Sequence, residues 1–297
     1  MTTGTIAWLI DTTLNHRRHQ ERVSAWSDEH LRSMKRAWAW WADFAAAEGQ
    51  EGTPLSDPFW SPATLSDALA CPSLAGKTAT RRIYRAGFQS LPKTALIEGV
   101  ILHSPAAHVT LPTSSTRFFA YTEDEVDRLI ASAAALGHRQ RTAAMMRLLA
   151  IMADLGQRQG DSLALSYGAH YRDGSFMCRQ NKTQRPLLIP ATVRLLHILG
   201  PGQNRIGPIV NWTGSMTALR EGFARVRDAA GLPADAKMMH LRHYAVMRMA
   251  RLGFNALQIS TVSGHTAKSV DAMLQRHYFA RDGEVAASVI SRINAAS

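Results

Sequence analysis

The sequence predicts a mainly α-helical protein with one small antiparallel β-sheet, organised in two domains. Apolar residues recur at helical spacing along most of the 297 residues, whereas residues 163–190 contain short β-prone runs separated by turn residues. Residues 103–119 are rich in Ser, Thr and Pro and show no periodicity, which indicates a linker. We therefore divide the chain into an N-terminal arm (1–26), a helical domain (27–105), a linker (106–120), a larger domain (121–282) and a C-terminal helix (283–297).

Two segments predict the helices of the first domain. An apolar stripe that stops near Gly49 consists of Leu31, Met34, Trp38, Trp41 and Ala45. After a proline-rich loop, a second predicted helix carries the basic residues Lys77, Arg81, Arg82, Arg85 and Lys93. Such a basic face is either solvated surface or a surface that follows the phosphates of a nucleic acid, and the pattern favours neither.

The larger domain begins at a capping box, with Thr122 as the N-cap and Glu125 as its partner. A long apolar helix follows and ends at Gly156. The β-prone runs break at 172–174 and again at 182–184, which predicts the small antiparallel sheet, and the chain is predicted to be helical again from residue 191.

The charge of the chain limits its partners. The net charge is +11, and residues 106–297 contribute +10 of it. This excess favours an anionic partner, either nucleic acid or an anionic membrane surface. Cys71 and Cys178 make neither a disulfide framework nor the CxxC pattern of a zinc site, and no apolar stretch reaches the length of about 18 residues that spans a membrane. We expect a cytoplasmic protein.

Four short segments of the larger domain contain residues suited to phosphate esters. "LGQRQGD" places Arg158 after a helix end, "QNKTQRP" places Lys182 at a hairpin tip, and "HLRH" contains Arg242. "SGH" places His265 after a glycine, and Tyr278 follows in "QRHYFARD". Each segment alone is a weak signal, because an arginine after a helix or a lysine in a hairpin is usually a surface residue.

Together and in this order, the segments resemble the catalytic domain of the tyrosine recombinase (phage integrase) family. The resemblance covers about residues 121–282 and includes the opening "TEDEVDRL" and the block "LGQRQGDSLAL". It is weaker over residues 27–105, where this family carries a helical core-binding domain that closes a clamp on DNA. The resemblance then implies that this domain contacts DNA through Lys77, Arg81, Arg82 and Arg85.

The resemblance implies cleavage of a DNA phosphodiester without a metal ion or a cofactor. Arg158 and Arg242 would hold the non-bridging oxygens, since a planar guanidinium suits them better than a point charge. Lys182 would protonate the departing 5′ oxygen, and His265 would donate a hydrogen bond to the same phosphate. Tyr278 would attack phosphorus and leave a 3′-phosphotyrosine and a free 5′-hydroxyl.

One position departs from the family pattern, in which a histidine usually stands three residues before the second arginine. That position is Met239, and the histidine is displaced to His240. His240 could swing into the role, although one helical residue is a rotation of about 100°, so the helix start would have to be distorted. Alternatively the enzyme works without this histidine, at a cost of about 10²–10⁴-fold. As a third alternative, the protein retains only sequence-specific DNA binding, as a transcriptional regulator. We favour an active or weakly active recombinase.

The remaining expectations also follow from the resemblance. His243 would orient its neighbours, and Asp161 either steers Arg158 by charge pairing or is an ordinary surface carboxylate. The apolar stripe of the C-terminal helix packs either on its own domain or, as the resemblance implies, on a neighbouring subunit. The expected partner is double-stranded DNA, bound by a tetramer that forms from monomers or weak oligomers at the nucleoid, and the resemblance also allows accessory DNA-bending proteins. A type IB topoisomerase is an alternative enzyme class, which would relax supercoils as a monomer without site preference.

Overall fold

The computed structural model describes residues 2–109, 111, 119–136, 139–179, 186–275, 290, 291 and 294. These residues form two compact units, 1–116 and 117–297. The structure confirms the mainly helical class with one small sheet over the described residues. The division between the units falls within the segment 106–120.

The first unit is built on a pair of long helices. Its helices are α1 (Ile6–Asn15), α2 (Arg17–Ser24), α3 (Asp28–Ala47), α4 (Pro62–Ala70) and α5 (Thr78–Ile97). Helices α3 and α5 approach closely at Gly87, where a Cβ atom would collide with Ala37. The indole of Trp38 crosses this contact and donates to the Gly87 carbonyl oxygen at 3.0 Å and to the Ser90 hydroxyl at 2.9 Å. The tryptophan-anchored core helix predicted from the apolar stripe is therefore confirmed.

The structure differs from the predicted boundaries at both ends of this unit. Residues 1–26 are not a separate arm, because Ile6 and Leu9 of α1 lie in the same core as Trp38. Ala106 and Val109, assigned to the linker, also pack in this core. Both segments are too short for an apolar period to be visible in the sequence, and tertiary contacts fix them.

The second unit surrounds one buried helix. Its helices are α6 (Glu123–Ala135), α7 (Arg139–Leu155), α8 (Gln159–Leu163), α9 (Val193–Leu199), α10 (Met216–Ala229), α11 (His240–Arg251), α12 (Ala256–Ser263) and α13 (Ala267–Leu274). Six consecutive residues of α7, 148–153, are at most 1 % exposed, so α7 is buried on all sides. The predicted capping box is present at the start of α6, where Thr122 and Glu125 exchange hydrogen bonds.

The small sheet is mixed rather than purely antiparallel. Its strands are β1 (Ser166–Tyr167), β2 (Tyr171–Arg172), β3 (Ser175–Arg179), β4 (Pro186–Pro190) and β5 (Gly207–Pro208), in the order β4-β3-β2-β1-β5. The β2–β3 hairpin turns at Asp173 and Gly174, which both have positive φ, as a two-residue hairpin favours. Strands β1 and β2 run parallel, and Tyr167 pairs with Tyr171.

No helix in the described part of the chain combines the length and the apolar character that crossing a membrane would require.

Candidate active site

Three of the five predicted catalytic residues lie at helix ends in the second unit. Arg158 is the N-cap of α8, Arg242 lies in the first turn of α11, and His265 follows the C-cap of α12. Lys182 and Tyr278 lie outside the described residues. Lys182 belongs to the connection between the paired strands β3 and β4, and Tyr278 comes four residues after the end of α13.

Gly156 allows these helix ends to meet. It ends α7 with a φ of +62°, and a Cβ atom there would lie 3.2 Å from the Cβ of Ala245 on α11 and 3.4 Å from the Cβ of Ser263 on α12. Its carbonyl oxygen accepts a short hydrogen bond from Nη1 of Arg242. The sequence identified this glycine as a helix end, and the structure shows that it also joins α7, α11 and α12.

Arg242 is held rigidly in the interior. The residue is 8 % exposed, and Nη1 donates to the carbonyl oxygens of Gly156 and, at 2.9 Å, Ser263. Its Nε donates to Nε2 of His265 at 3.1 Å. The remaining nitrogen, Nη2, is buried and has no hydrogen-bond partner among the residues that the structure describes. A buried charged donor in this state needs an acceptor, because leaving it unsatisfied is costly.

Arg158 and Asp161 share the neighbourhood of Arg242. Nη1 of Arg158 lies 3.5 Å from Oδ2 of Asp161, and the two side chains are 30 % and 13 % exposed. Burial, and to a smaller extent the charge of Arg158, lower the pKa of Arg242 to about 9 against the opposing charge of Asp161. Arg242 is therefore still cationic at neutral pH, and two guanidinium groups share one carboxylate. This arrangement favours a bound anion. The contact between Arg158 and Asp161 exists, while the steering role of Asp161 stays a prediction.

The contacts of His265 define its tautomer. The hydroxyl of Ser263 donates to the Ile259 carbonyl oxygen at 2.9 Å, so its oxygen accepts from Nδ1 of His265, also at 2.9 Å. Nε2 of His265 then carries the lone pair that accepts from Arg242. Burial, followed by the charges of Arg242, Arg158 and His243, lowers the pKa of His265 to about 3. His265 is consequently neutral at physiological pH in the free protein.

The displaced histidine lies at a tightened helix start. The amides of His240 and Leu241 donate to carbonyl oxygens three residues earlier, so α11 begins in a 3₁₀-like winding. Met239 is 55 % exposed, whereas His240 is 5 % exposed and burial lowers its pKa. The rings of His240 and His243 are 6.3 Å apart. A 3₁₀ turn is common at the end of an α-helix, and the roles of His240 and His243 stay predictions.

Two residues that organise the site, Gln157 and Ser263, were not among the predicted site residues. Gln157 is 2 % exposed, and its Nε2 donates to the Val262 carbonyl oxygen at 2.8 Å, which ties the end of α7 to the end of α12 directly before Arg158. Ser263 is fully buried and fixes His265 as described. Gln157 lies within "LGQRQGD" and Ser263 within "SGH", so their positions next to Arg158 and His265 are the sequence feature that could have identified them.

The predicted DNA-binding residues lie at the start of α5 in the first unit. Lys77 is the N-cap, and Arg81, Arg82 and Arg85 follow within the first two turns. Lys77 and Arg82 are exposed, and Arg81 and Arg85 are half-buried. The basic helix is confirmed, and its contact with DNA stays a prediction.

No profile of a known protein family and no curated protein matches the sequence. Solved structures do match. A lambda integrase dimer bound to a core site is 21 % identical with a TM-score of 0.66, over 89 % of this chain and 95 % of that chain. The Tn1549 transposon integrase in complex with circular intermediate DNA is 12 % identical with a TM-score of 0.70, over 97 % and 99 %. The XerH site-specific recombinase bound to a palindromic substrate is 13 % identical with a TM-score of 0.68, over 97 % and 85 %.

These proteins are tyrosine recombinases, and the match extends over both units of this chain. At such identities the likeness concerns the arrangement of the backbone. The chain has the fold of the tyrosine recombinases, as the sequence resemblance implied.

Proposed function

We propose that this protein is a site-specific DNA recombinase that cleaves and rejoins duplex DNA through a 3′-phosphotyrosine intermediate. The observation that carries the proposal is the buried guanidinium of Arg242, whose Nη2 has no partner among the described residues and which lies beside the second cation, Arg158. A non-bridging phosphate oxygen is an acceptor of the required charge. Fixed donors of this kind typically contribute about 10²–10³-fold to the rate of a reaction that develops negative charge.

Each predicted catalytic residue has a separate role in this reaction. The Tyr278 hydroxyl gives its proton to solvent water as its oxygen forms a bond to phosphorus, while the bond from phosphorus to the 5′ oxygen breaks and Lys182 supplies the proton for that oxygen. Arg158 and Arg242 balance the extra charge of the pentavalent transition state. His265, at the end of α12, donates to the same phosphate once its Nε2 takes up a proton beside the anion, and Ser263 holds its ring in position. The reverse sequence rejoins the strand, so no nucleotide cofactor is consumed.

The similar structures support a DNA partner and an assembly. They are complexes with DNA, among them a lambda integrase tetramer bound to a Holliday junction. We extend these properties to this chain: its two units hold duplex DNA, and four subunits exchange strands between two sites. The net charge of +11 agrees with such a partner.

A second function is favoured by one observation. Met239 stands at the family histidine position, and its exposed thioether neither donates nor accepts a proton usefully. A protein that kept the fold and lost the chemistry would be a DNA-binding regulator. It would bind the same loci with or without the hydroxyl of Tyr278.

Covalent capture in the organism that encodes the protein separates the two functions. Tagged native protein and Tyr278→Phe are purified under denaturing conditions, and any attached DNA is sequenced. We expect DNA from discrete loci with the native protein and none with Tyr278→Phe. Discrete loci found only after chemical crosslinking, and equally with both proteins, would establish the regulator instead. Met239→His serves as a sensitised variant, since a restored histidine should increase the yield of adduct.

A further inference from the structure

The first unit contains a cluster of metal-ligating side chains that the recombination chemistry does not use. His16, His19 and Glu98 bring one ligand atom each to within 4.8 Å of one another. Nε2 of His19 lies 2.9 Å from Oε1 of Glu98, and Nδ1 of His16 lies 3.8 Å from the same oxygen. His16 and His19 are three residues apart, whereas Glu98 lies about 80 positions further along the chain, so the fold brings the glutamate to the two histidines.

We propose that His16, His19 and Glu98 bind a divalent transition-metal ion, with Zn²⁺ as the best-suited ion. Two imidazoles and one carboxylate are ligands that Zn²⁺ commonly takes, with water in a fourth position. Ligand atoms about 2.0–2.1 Å from a tetrahedral zinc ion are about 3.4 Å apart. The two distances to the Glu98 oxygen bracket this value, so small side-chain rotations bring the donors into place.

The surroundings favour a cation held firmly. His19 is 1 % exposed, and the Glu98 side chain is 14 % exposed, so neither ligand must be ordered from a solvated state. Glu98 is the C-cap of the 20-residue helix α5, where the unpaired carbonyl groups create a partial negative charge. His16 is exposed at 48 % of its side chain and gives the ion a route from solvent.

The position of the cluster indicates what the ion does. His16 stands at the corner between α1 and α2, His19 lies in the first turn of α2, and Glu98 ends α5. One turn earlier on α5, Thr94 is hydrogen-bonded to Thr13 of α1 and to Arg22 of α2. A bound ion would extend this contact layer and fasten the α1–α2 corner to α5. The proposed site is structural and independent of catalysis in the second unit.

Metal titration of the full chain tests the proposal. After chelator treatment, the protein is titrated with Zn²⁺ by calorimetry and with Co²⁺ by visible absorption, which reports four-coordinate geometry. Six of the seven tryptophans lie in residues 1–116, so tryptophan fluorescence reports the unfolding of this unit. We expect one ion per chain and an unfolding temperature raised by about 10 °C at about 100 times Kd.

Two variants and a control assign the ion to the cluster. His16→Gln removes an exposed ligand without opening the core, and Glu98→Gln removes the charge. Each should weaken the site at least about tenfold and, at the same ion concentration, reduce the thermal shift by about half or more. The exposed His108 in the same unit provides the control, His108→Gln, which should bind as the native chain does. Equal binding and equal Co²⁺ spectra in His16→Gln and the native chain, or no binding to either, would overturn the proposal and leave His19 and Glu98 as a hydrogen-bonded pair.

Discussion

Arginines occupy two opposite environments in this protein. Arg242 in the second unit is 8 % exposed, and two backbone carbonyl oxygens and one imidazole nitrogen hold its guanidinium. Arg82 on α5 in the first unit is exposed, and Lys77 beside it is exposed as well. Both environments can bind phosphate, but the first offers a desolvated cation and the second offers hydrated cations.

The two environments differ in whether the cation loses its hydration during folding or keeps it at the surface. The interior guanidinium is desolvated during folding, which lowers its pKa, so its interaction with an anion is strong and weakly screened. The surface cations keep their hydration, attract any phosphate, and weaken as salt rises. We infer that the interior arginine controls the chemical step and that the surface of α5 controls affinity.

Replacement of the interior arginine should give the largest effect. Arg242→Lys keeps a positive charge but loses the fork that bonds Gly156, Ser263 and His265. We expect the rate of covalent adduct formation on captured target DNA to fall about 10²–10³-fold, with little change in DNA affinity.

Arg248 offers the matched control for this replacement. It lies on the same helix and pairs with Glu123 at the surface. Arg248→Lys should cleave at the native rate. Equal losses in the two variants would mean that the site has no special dependence on the buried fork.

Neutralising the surface cations should give an intermediate effect on binding. If Lys77 and Arg82 each contact one phosphate, the double variant Lys77→Gln/Arg82→Gln should lose about ten- to thirtyfold in affinity near physiological salt, and its salt slope should fall by about 1.8. Gel-shift titrations over a salt series measure both quantities. The charge-preserving variant Lys77→Arg/Arg82→Lys should retain the native salt slope. A native salt slope in the glutamine variant would show that Lys77 and Arg82 of α5 do not contact DNA.

The pH dependence of binding should give the smallest effect. His265 has a pKa of about 3 in the free protein, and a phosphate anion beside it raises that pKa. The bound state therefore holds more protons, and affinity should strengthen as pH falls through the bound-state pKa, by at most about tenfold per pH unit. DNA titrations in the Tyr278→Phe background measure the slope without cleavage. His265→Gln should flatten it, and parallel slopes for the two proteins would show that His265 takes up no proton.

Local signals in the sequence predicted much of the fold. The stripe of α3, the capping box of α6, the end of α7 at Gly156 and the turn at Asp173–Gly174 depend on neighbouring residues, so the pattern contains them. The same holds for Arg158 after a helix end and for His265 after the left-handed Gly264.

Long-range contacts explain what the sequence could not predict. The bond from Arg242 to Gly156 spans 86 positions, and that from His19 to Glu98 spans 79. The hydrophobic periodicity of a sequence does not identify such pairs, because they depend on how the helices pack against one another. The inclusion of α1 in the first core belongs to the same class. The predicted roles of Lys182 and Tyr278, and the C-terminal helix 283–297, rest on resemblance, since nearly all of these residues lie outside the described part of the chain.

The most direct measurement identifies the residue that carries the DNA. Covalent adduct purified under denaturing conditions is digested with nuclease and protease, and the nucleotide-bearing peptide is sequenced by mass spectrometry. We expect the nucleotide on Tyr278, attached through its 3′-phosphate, with an adduct yield that falls sharply in Arg242→Lys. A nucleotide on another residue, or an adduct that forms equally well without the Arg242 guanidinium, would contradict the assignment of this site as the catalytic centre.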